Sequence, residues 1–364
     1  MIVQDVINYL EELAPLPYAE DFDNVGLLIG DRNSNLTGVL VTLDTLEAVV
    51  DEAIEKKCNL IVSFHPIIFK GLKKINGTNY VERTVIKAIK HNIAIYAIHT
   101  ALDNALLGVN DIICNTLGLS NKKILIPQKG TIKKLTTYVP KLHAESLRTE
   151  LFNVGAGSIG NYENCSFNTE GIGTYIGNEL SNPVIGVKGE MHKEEETLIS
   201  VTFNKHLESS ILRTLFKHHP YEEVAFEITT LENYNQNIGI GMYGELKKEM
   251  PTSEFLNFVK EKMNSGCIKH TKFSKSTIKK VAVLGGSGSF AIQAAKSVNA
   301  DIFITSDLKY HDFFTAENEI ILADIGHYES EQFTKSFLAN YLSKKITNFA
   351  IILSMTNTNP VKYL

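Results

Sequence analysis

Four short stretches carry imidazoles and carboxylates just beyond apolar runs: "NLIVSFHP", "IAIYAIHTALDN", "ADIFITSDLKYH" and "EIILADIGHYESE". They deliver His65, then His99 with Asp103, then Asp307 with His311, then His327 with Glu331. Each of the last three pairs is spaced four residues apart, which on a helical turn places both side chains on one face. Imidazole and carboxylate without thiolate suit Zn, Mn, Fe, Co or Ni better than the oxygen-only sites of Ca or Mg. Taken singly, each stretch has a plainer reading: a histidine packed after a strand, or a carboxylate near the positive end of a helix. The convergence of four is what points to a divalent transition-metal site of one or two ions.

The elements that must position these residues follow from periodicity. Val3, Val6, Ile7, Leu10 and Leu13 recur at helical spacing, and the loop "PLPYAEDFDNVG" ends that helix. "GVLVTLD", "NLIVS" and "IAIYAI" read as strands alternating with helices in "TLEAVVDEAIEKK" and "NYVERTVIKAIKHN". The rhythm returns near residue 240 with "PTSEFLNFVKEKM", "KKVAVLG", "ADIFITS", "EIILADI", "SEQFTKSFLANYLSKKI" and "FAIILS". The expected fold class is therefore α/β, two α/β halves forming a discontinuous core over 1–126 and 235–364. Residues 127–234 change texture, with short strands, glycines and one clear helix near "HLESSILRTLFKHH", and are read as an inserted α+β domain. In open parallel sheets, loops beyond the carboxyl ends of the strands share one crevice, which is where the four stretches fall.

Composition narrows the function classes. A chain of 364 residues with 44% hydrophobic and 21% charged residues is globular, and no apolar run reaches the ~20 residues of a membrane span. A net charge of −5 without a Lys/Arg block argues against nucleic acid as a partner. Cys58, Cys114, Cys165 and Cys267 form no C-x-x-C pair, so neither disulfides nor a thiolate zinc site is expected. "MIVQDVINYLEELA" lacks the features of a signal peptide, and a cytoplasmic location is expected.

One motif competes with the metal reading. In "VAVLGGSGSFAIQAA", Gly286, Gly288 and Ala291 fit the G-x-G-x-x-A dinucleotide fingerprint, with Asp307 as the ribose-binding acid. The fingerprint opens the second half rather than a complete dinucleotide domain, and a tight strand-to-helix turn is the stronger reading.

The stretches "VSFHPIIFKG", "HTALDNA", "GGSGS", "ITSDLKYHD" and "DIGHYESE", in this order around an inserted middle segment, resemble the Ngg-interacting-factor-three-like proteins, also labelled GTP cyclohydrolase type-two homologues. The resemblance implies a dinuclear metal site and a ring-shaped homohexamer. Carried over by position, His65 and His327 hold one metal, Asp103 the other, and Glu331 bridges them. His99 and His311 then stand behind the ligands or face the substrate. The middle segment, ending "FKHHPYEEVAFEI", resembles a PII/CutA-like insert, which sets His218 and His219 apart from the site. The family's loop commonly reads His-His-Pro, and here the first position is Phe64.

Two functions are carried forward. The first is a metal-dependent hydrolase acting on a nucleotide or related small molecule. The second is a non-enzymatic metal-binding regulatory or scaffold protein. A dinucleotide-binding oxidoreductase ranks third.

Overall fold

The computed structural model describes residues 1–364, which divide into two compact units, Met1–Pro127 with Asn237–Leu364, and Gln128–Gln236. The discontinuous unit holds two sheets. In the first, Gly26–Ile29, Ala94–Ala97, Leu60–Ser63, Val39–Thr42 and Ile351–Leu353 lie side by side in that order. All neighbours are parallel except the Gly26–Ile29 edge. In the second, the order is Lys269–His270, Ile321–Asp324, Ile302–Ser306, Thr277–Ser287, Gly239–Pro251 and Leu119–Pro127, with Ile302–Ser306 parallel to both neighbours.

The sequence halves are thus interleaved. The last strand, Ile351–Leu353, completes the first sheet, and Leu119–Pro127 joins the second. Periodicity reports which face of a strand is apolar but not which sheet it enters.

Strands buried on both faces read as unbroken apolar runs, as "LIVS" does here, with all four residues buried. One face of the first sheet (Val39, Val41, Leu60, Val62, Tyr96) and one face of the second (Val281, Val283, Ile302, Ile304, Ile321) share a single core. Val3, Val6, Ile7 and Leu10 of the helix Val3–Leu13 pack into the same core, and Asp5 accepts the Ile2 N–H at 2.8 Å at its start. Each such buried aliphatic side chain contributes about 1.5–3 kcal/mol relative to exposure. No helix is long and apolar enough to cross a membrane.

The inserted unit has the element order β-α-β-β-α-β and a four-stranded antiparallel sheet. Its helices are Ala144–Asn153 and Glu208–His218. The first was missed because only Ala144, Leu147 and Leu151 mark its apolar face. Both helices pack on the face presenting Leu135, Val139, Ile199 and Val201. His219 is a staple in this unit: its Nε2–H donates to the Tyr138 carbonyl at 2.9 Å, and its Nδ1 accepts the Tyr221 N–H at 3.1 Å.

The ends of the insertion meet across a ladder. Pro127 pairs with Gly239 in the core, and the Asn235 N–H donates to the Gln128 carbonyl in the insert. A short turn can therefore close the core strands as a hairpin. Replacing residues 128–236 by a short Gly/Ser link should leave a core that melts cooperatively within about 5 °C of the full chain. A molten or insoluble core in circular dichroism would show that the insert is needed for the core to fold.

Candidate metal centre

The chain turns sharply after Leu60–Ser63. The His65 N–H donates to the Leu43 carbonyl at 2.9 Å, and the Ser63 hydroxyl lies within reach of the Leu43 and His65 carbonyls. This fixes the His65 ring with Nδ1 2.8 Å from Asp44 Oδ1, while Thr358 donates its hydroxyl to the other Asp44 oxygen at 2.6 Å. From the second sheet, His327 opens the helical turn His327–Glu331, and its Nδ1 lies 2.7 Å from Asp307. Both imidazoles have a carboxylate behind Nδ1, the arrangement that fixes tautomer and ring direction in metal-binding histidines.

Their Nε2 atoms converge. Glu331 Oε2 lies 3.1 Å from that of His65 and 3.2 Å from that of His327, and these three residues form a group that could hold a metal ion. Glu331 is buried, and its Oε2 finds no aligned hydrogen-bond donor. Asp103 is also buried, and its Oδ1 likewise has no partner. An unpartnered Asp103 oxygen beside a Glu331 oxygen on which two imidazole nitrogens converge fits a divalent cation.

The electrostatics agree. Burial and then the Glu331 charge hold Asp103 well above the usual carboxylate range. Burial works against ionised Glu331, but the two imidazoles outweigh it and lower its pKa. Burial also opposes charge on His65, yet Glu331 and Asp44 raise it to about 10. Asp307 and Glu331 likewise overcome burial at His327 and raise it to about 11.

His99 has the same construction from a different loop. Its Nδ1 lies 2.9 Å from Asp23, whose carboxylate also accepts from the Thr100 N–H and hydroxyl. Its ring centroid is 5.2 Å from that of His65, outside the three-residue group. Phe64 is fully buried, with its ring 4.9 Å from His65 and 5.5 Å from His99. His311 is not in the three-residue group, and its exposed ring lies against Tyr310 and Phe314.

The glycine-rich turn serves this cluster. Gly286 has φ +72°, and a Cβ there would lie 2.5 Å from Glu331 Oε1. At Gly288 it would lie 2.1 Å from the Thr305 hydroxyl. Asp307, the acid of the dinucleotide reading, is engaged by His327 and Ser287. At the centre, the non-glycine residues His99 and Asp307 have φ of +22° and +57°, a conformation that L side chains rarely adopt. Sequence reasoning passed over Asp23 and Asp44; each stands in a turn where aspartate is ordinary, and nothing local marks it as a histidine partner.

With both imidazoles protonated at neutral pH in the metal-free protein, an ion must displace a proton from each. The folded pKa values lie above the ordinary histidine value of about 6.5. Their contribution to metal-free stability is therefore complete below that pH and lost on the way to 10–11. Metal affinity should run the opposite way, rising about a hundredfold per pH unit between pH 7 and 9. Calorimetry in buffers of different ionisation enthalpy should register two protons released per ion; a pH-independent affinity would contradict the assignment.

The sequence profile of the Duf34/NIF3 (NGG1p interacting factor 3) family matches residues 1–360. A Bacillus subtilis protein named GTP cyclohydrolase 1 type 2 homolog is 40% identical, over 99% of this chain and 98% of its own length. A Staphylococcus epidermidis protein of the same name is 34% identical over the whole of both chains. Among solved structures, the Bacillus cereus protein related to NIF3 superposes with a TM-score of 0.87 at 34% identity, covering 100% of this chain and 99% of that one. A Staphylococcus aureus protein gives 0.79 at 32% identity with the same coverage. Matched along nearly its whole length by profile, relatives and structures alike, this chain belongs to the Duf34/NIF3 family.

Proposed function

We propose that the core is a metal-dependent hydrolase with two divalent transition-metal ions, acting on a nucleotide or a related phosphorylated small molecule. The observation that carries this reading is the convergence of the His65 and His327 Nε2 atoms on one buried Glu331 oxygen, with the buried, unpartnered Asp103 Oδ1 in the same neighbourhood and the imidazoles backed by Asp44 and Asp307. His65, His327 and Glu331 would hold one ion, and Glu331 with Asp103 the other. Bound there, the ions would supply Lewis acidity toward a water and toward a substrate oxygen. Asp44 and Asp307 orient the imidazoles, and the buried Phe64 ring lies against His65 and His99. The name of the curated relatives supports a nucleotide as substrate, as does a cleft whose lining includes Pro66, the residue after His65 in sequence. Of about 480 Å³, it is lined by Lys70, Lys73 and Lys74, which suit a phosphate group. A ring-shaped homohexamer and a PII-like role for the insert belong to the same reading; light scattering tests the former.

Screening the metal-loaded protein against nucleotides and phosphoesters should find turnover that Glu331→Gln abolishes. Lys73→Ala combined with Lys74→Ala should raise KM about tenfold with little change in kcat, because remote charge contributes uniform binding. Wild-type protein that retains its ions yet turns over none of these compounds would favour the non-enzymatic metal-binding role.

The two ions should differ in affinity. Phe64 offers no donor to the Asp103 side, where His99 is the imidazole at hand. Mild chelation should strip the ion on that side first, His99→Ala should hasten its loss, and Phe64→His should slow it. Two equal affinities in a titration of the unmodified protein would overturn this ordering.

A further inference from the structure

The sheet of the inserted unit has a second face, and it is built differently from the one beneath the helices. Strand register puts Leu135, Val139, Ile199 and Val201 on the helix side, so Tyr138, Glu196 and Tyr175 alternate to the opposite side. There a cavity of about 360 Å³ is lined by Tyr138, Tyr175, Tyr221, Glu196, Glu222 and Glu223, among others. Three aromatic rings and three carboxylates line it, and no Lys, Arg or His does.

The walls are held in place. Tyr221 donates its hydroxyl to Glu196 Oε1 at 2.8 Å, and its ring meets that of Tyr175 edge-on with centroids 5.9 Å apart. Glu196 lies across the neighbouring strand only because residue 173 is glycine; a Cβ there would come within 2.1 Å of its Oε2. The loop 177–190 closes over the pocket through two ties. Tyr175 donates its hydroxyl to the Ile185 carbonyl at 2.7 Å, and Glu222 Oε1 accepts the Asn182 N–H at 2.6 Å. Burial, followed by the hydrogen bond to Glu196 and then the Glu196 charge, raises the Tyr221 pKa, so its hydroxyl remains a neutral donor.

We propose that this pocket binds a small organic ammonium ion, protonated amine or quaternary. Aromatic faces attract a cation within about 6 Å of the ring centroid, and neighbouring carboxylates supply the opposite charge. An anion would meet three carboxylates without a compensating cation. The volume is that of an ordinary small-molecule site. No element of the metal centre contributes to the pocket, and the inference does not depend on the hydrolase reading.

Putrescine and choline chloride serve as probes for the full-length protein, by titration calorimetry against sodium chloride of matched ionic strength. Tyrosine emission is a second readout, since the chain has 14 tyrosines and no tryptophan. Saturable binding of at least one probe, one per chain, is expected, and unchanged after metal is removed with chelator. Glu196→Gln should weaken it about tenfold or more, the scale of one hydrogen bond to a charged group. Tyr221→Phe should keep most of the affinity, whereas Tyr221→Leu should lose it. Absence of binding by both probes at ~10 mM, about tenfold above a millimolar Kd, would overturn the proposal. So would equal affinity in Glu196→Gln, or equal loss in the Phe and Leu variants.

Discussion

The core is organised around a charge problem. Glu331 and Asp103 are both buried, and burial, followed by the Glu331 charge, holds Asp103 well above the usual carboxylate range. Carboxylates removed from water are costly unless paired. Here the pairing comes from His65 and His327, which arrive from separate sheets and meet at one Glu331 oxygen. The imidazoles can act so because their far nitrogens are committed to Asp44 and Asp307. A cation is the simplest species that satisfies every one of these groups at once.

That requirement explains the local departures from regular structure. Gly286 is where Glu331 needs room, and Gly326 takes φ +96° immediately before His327, with Glu329 and the Tyr363 hydroxyl too close for a Cβ. His99 and Asp307 occupy positive φ at the ends of strands. Rigid apolar sheets on either side hold these conformations, so the strained turns present fixed donors rather than mobile ones.

Much of this was legible in the sequence. The apolar runs located the central strands of both sheets, and the spacing of His327 and Glu331 anticipated their shared face. Which sheet each strand joins was not legible, because "FAIILS" is as apolar as any strand and carries no mark of the partner it joins more than 300 residues upstream. Asp23 and Asp44 were invisible for a related reason: a carboxylate becomes a histidine partner through tertiary proximity, and Asp23 reaches His99 across 76 positions. The glycine motif was seen but its service was not, since a glycine selected for a carboxylate above it looks the same as one selected for a pyrophosphate.

The interleaving of strands has a consequence for the chain during its synthesis. The strands Val39–Thr42, Leu60–Ser63 and Ala94–Ala97 are made early, but the apolar face they present is covered by Thr277–Ser287, Ile302–Ser306 and Ile321–Asp324. The whole insert is made in between, and at about 5–20 residues per second the delay is roughly ten to forty seconds. Throughout that interval the insert can close on its own core, while the first sheet waits with Val41, Val62 and Tyr96 uncovered. The nascent chain therefore passes through a stage in which one domain is finished and the other is an exposed, adhesive half, the stage at which a holding chaperone has most to offer it.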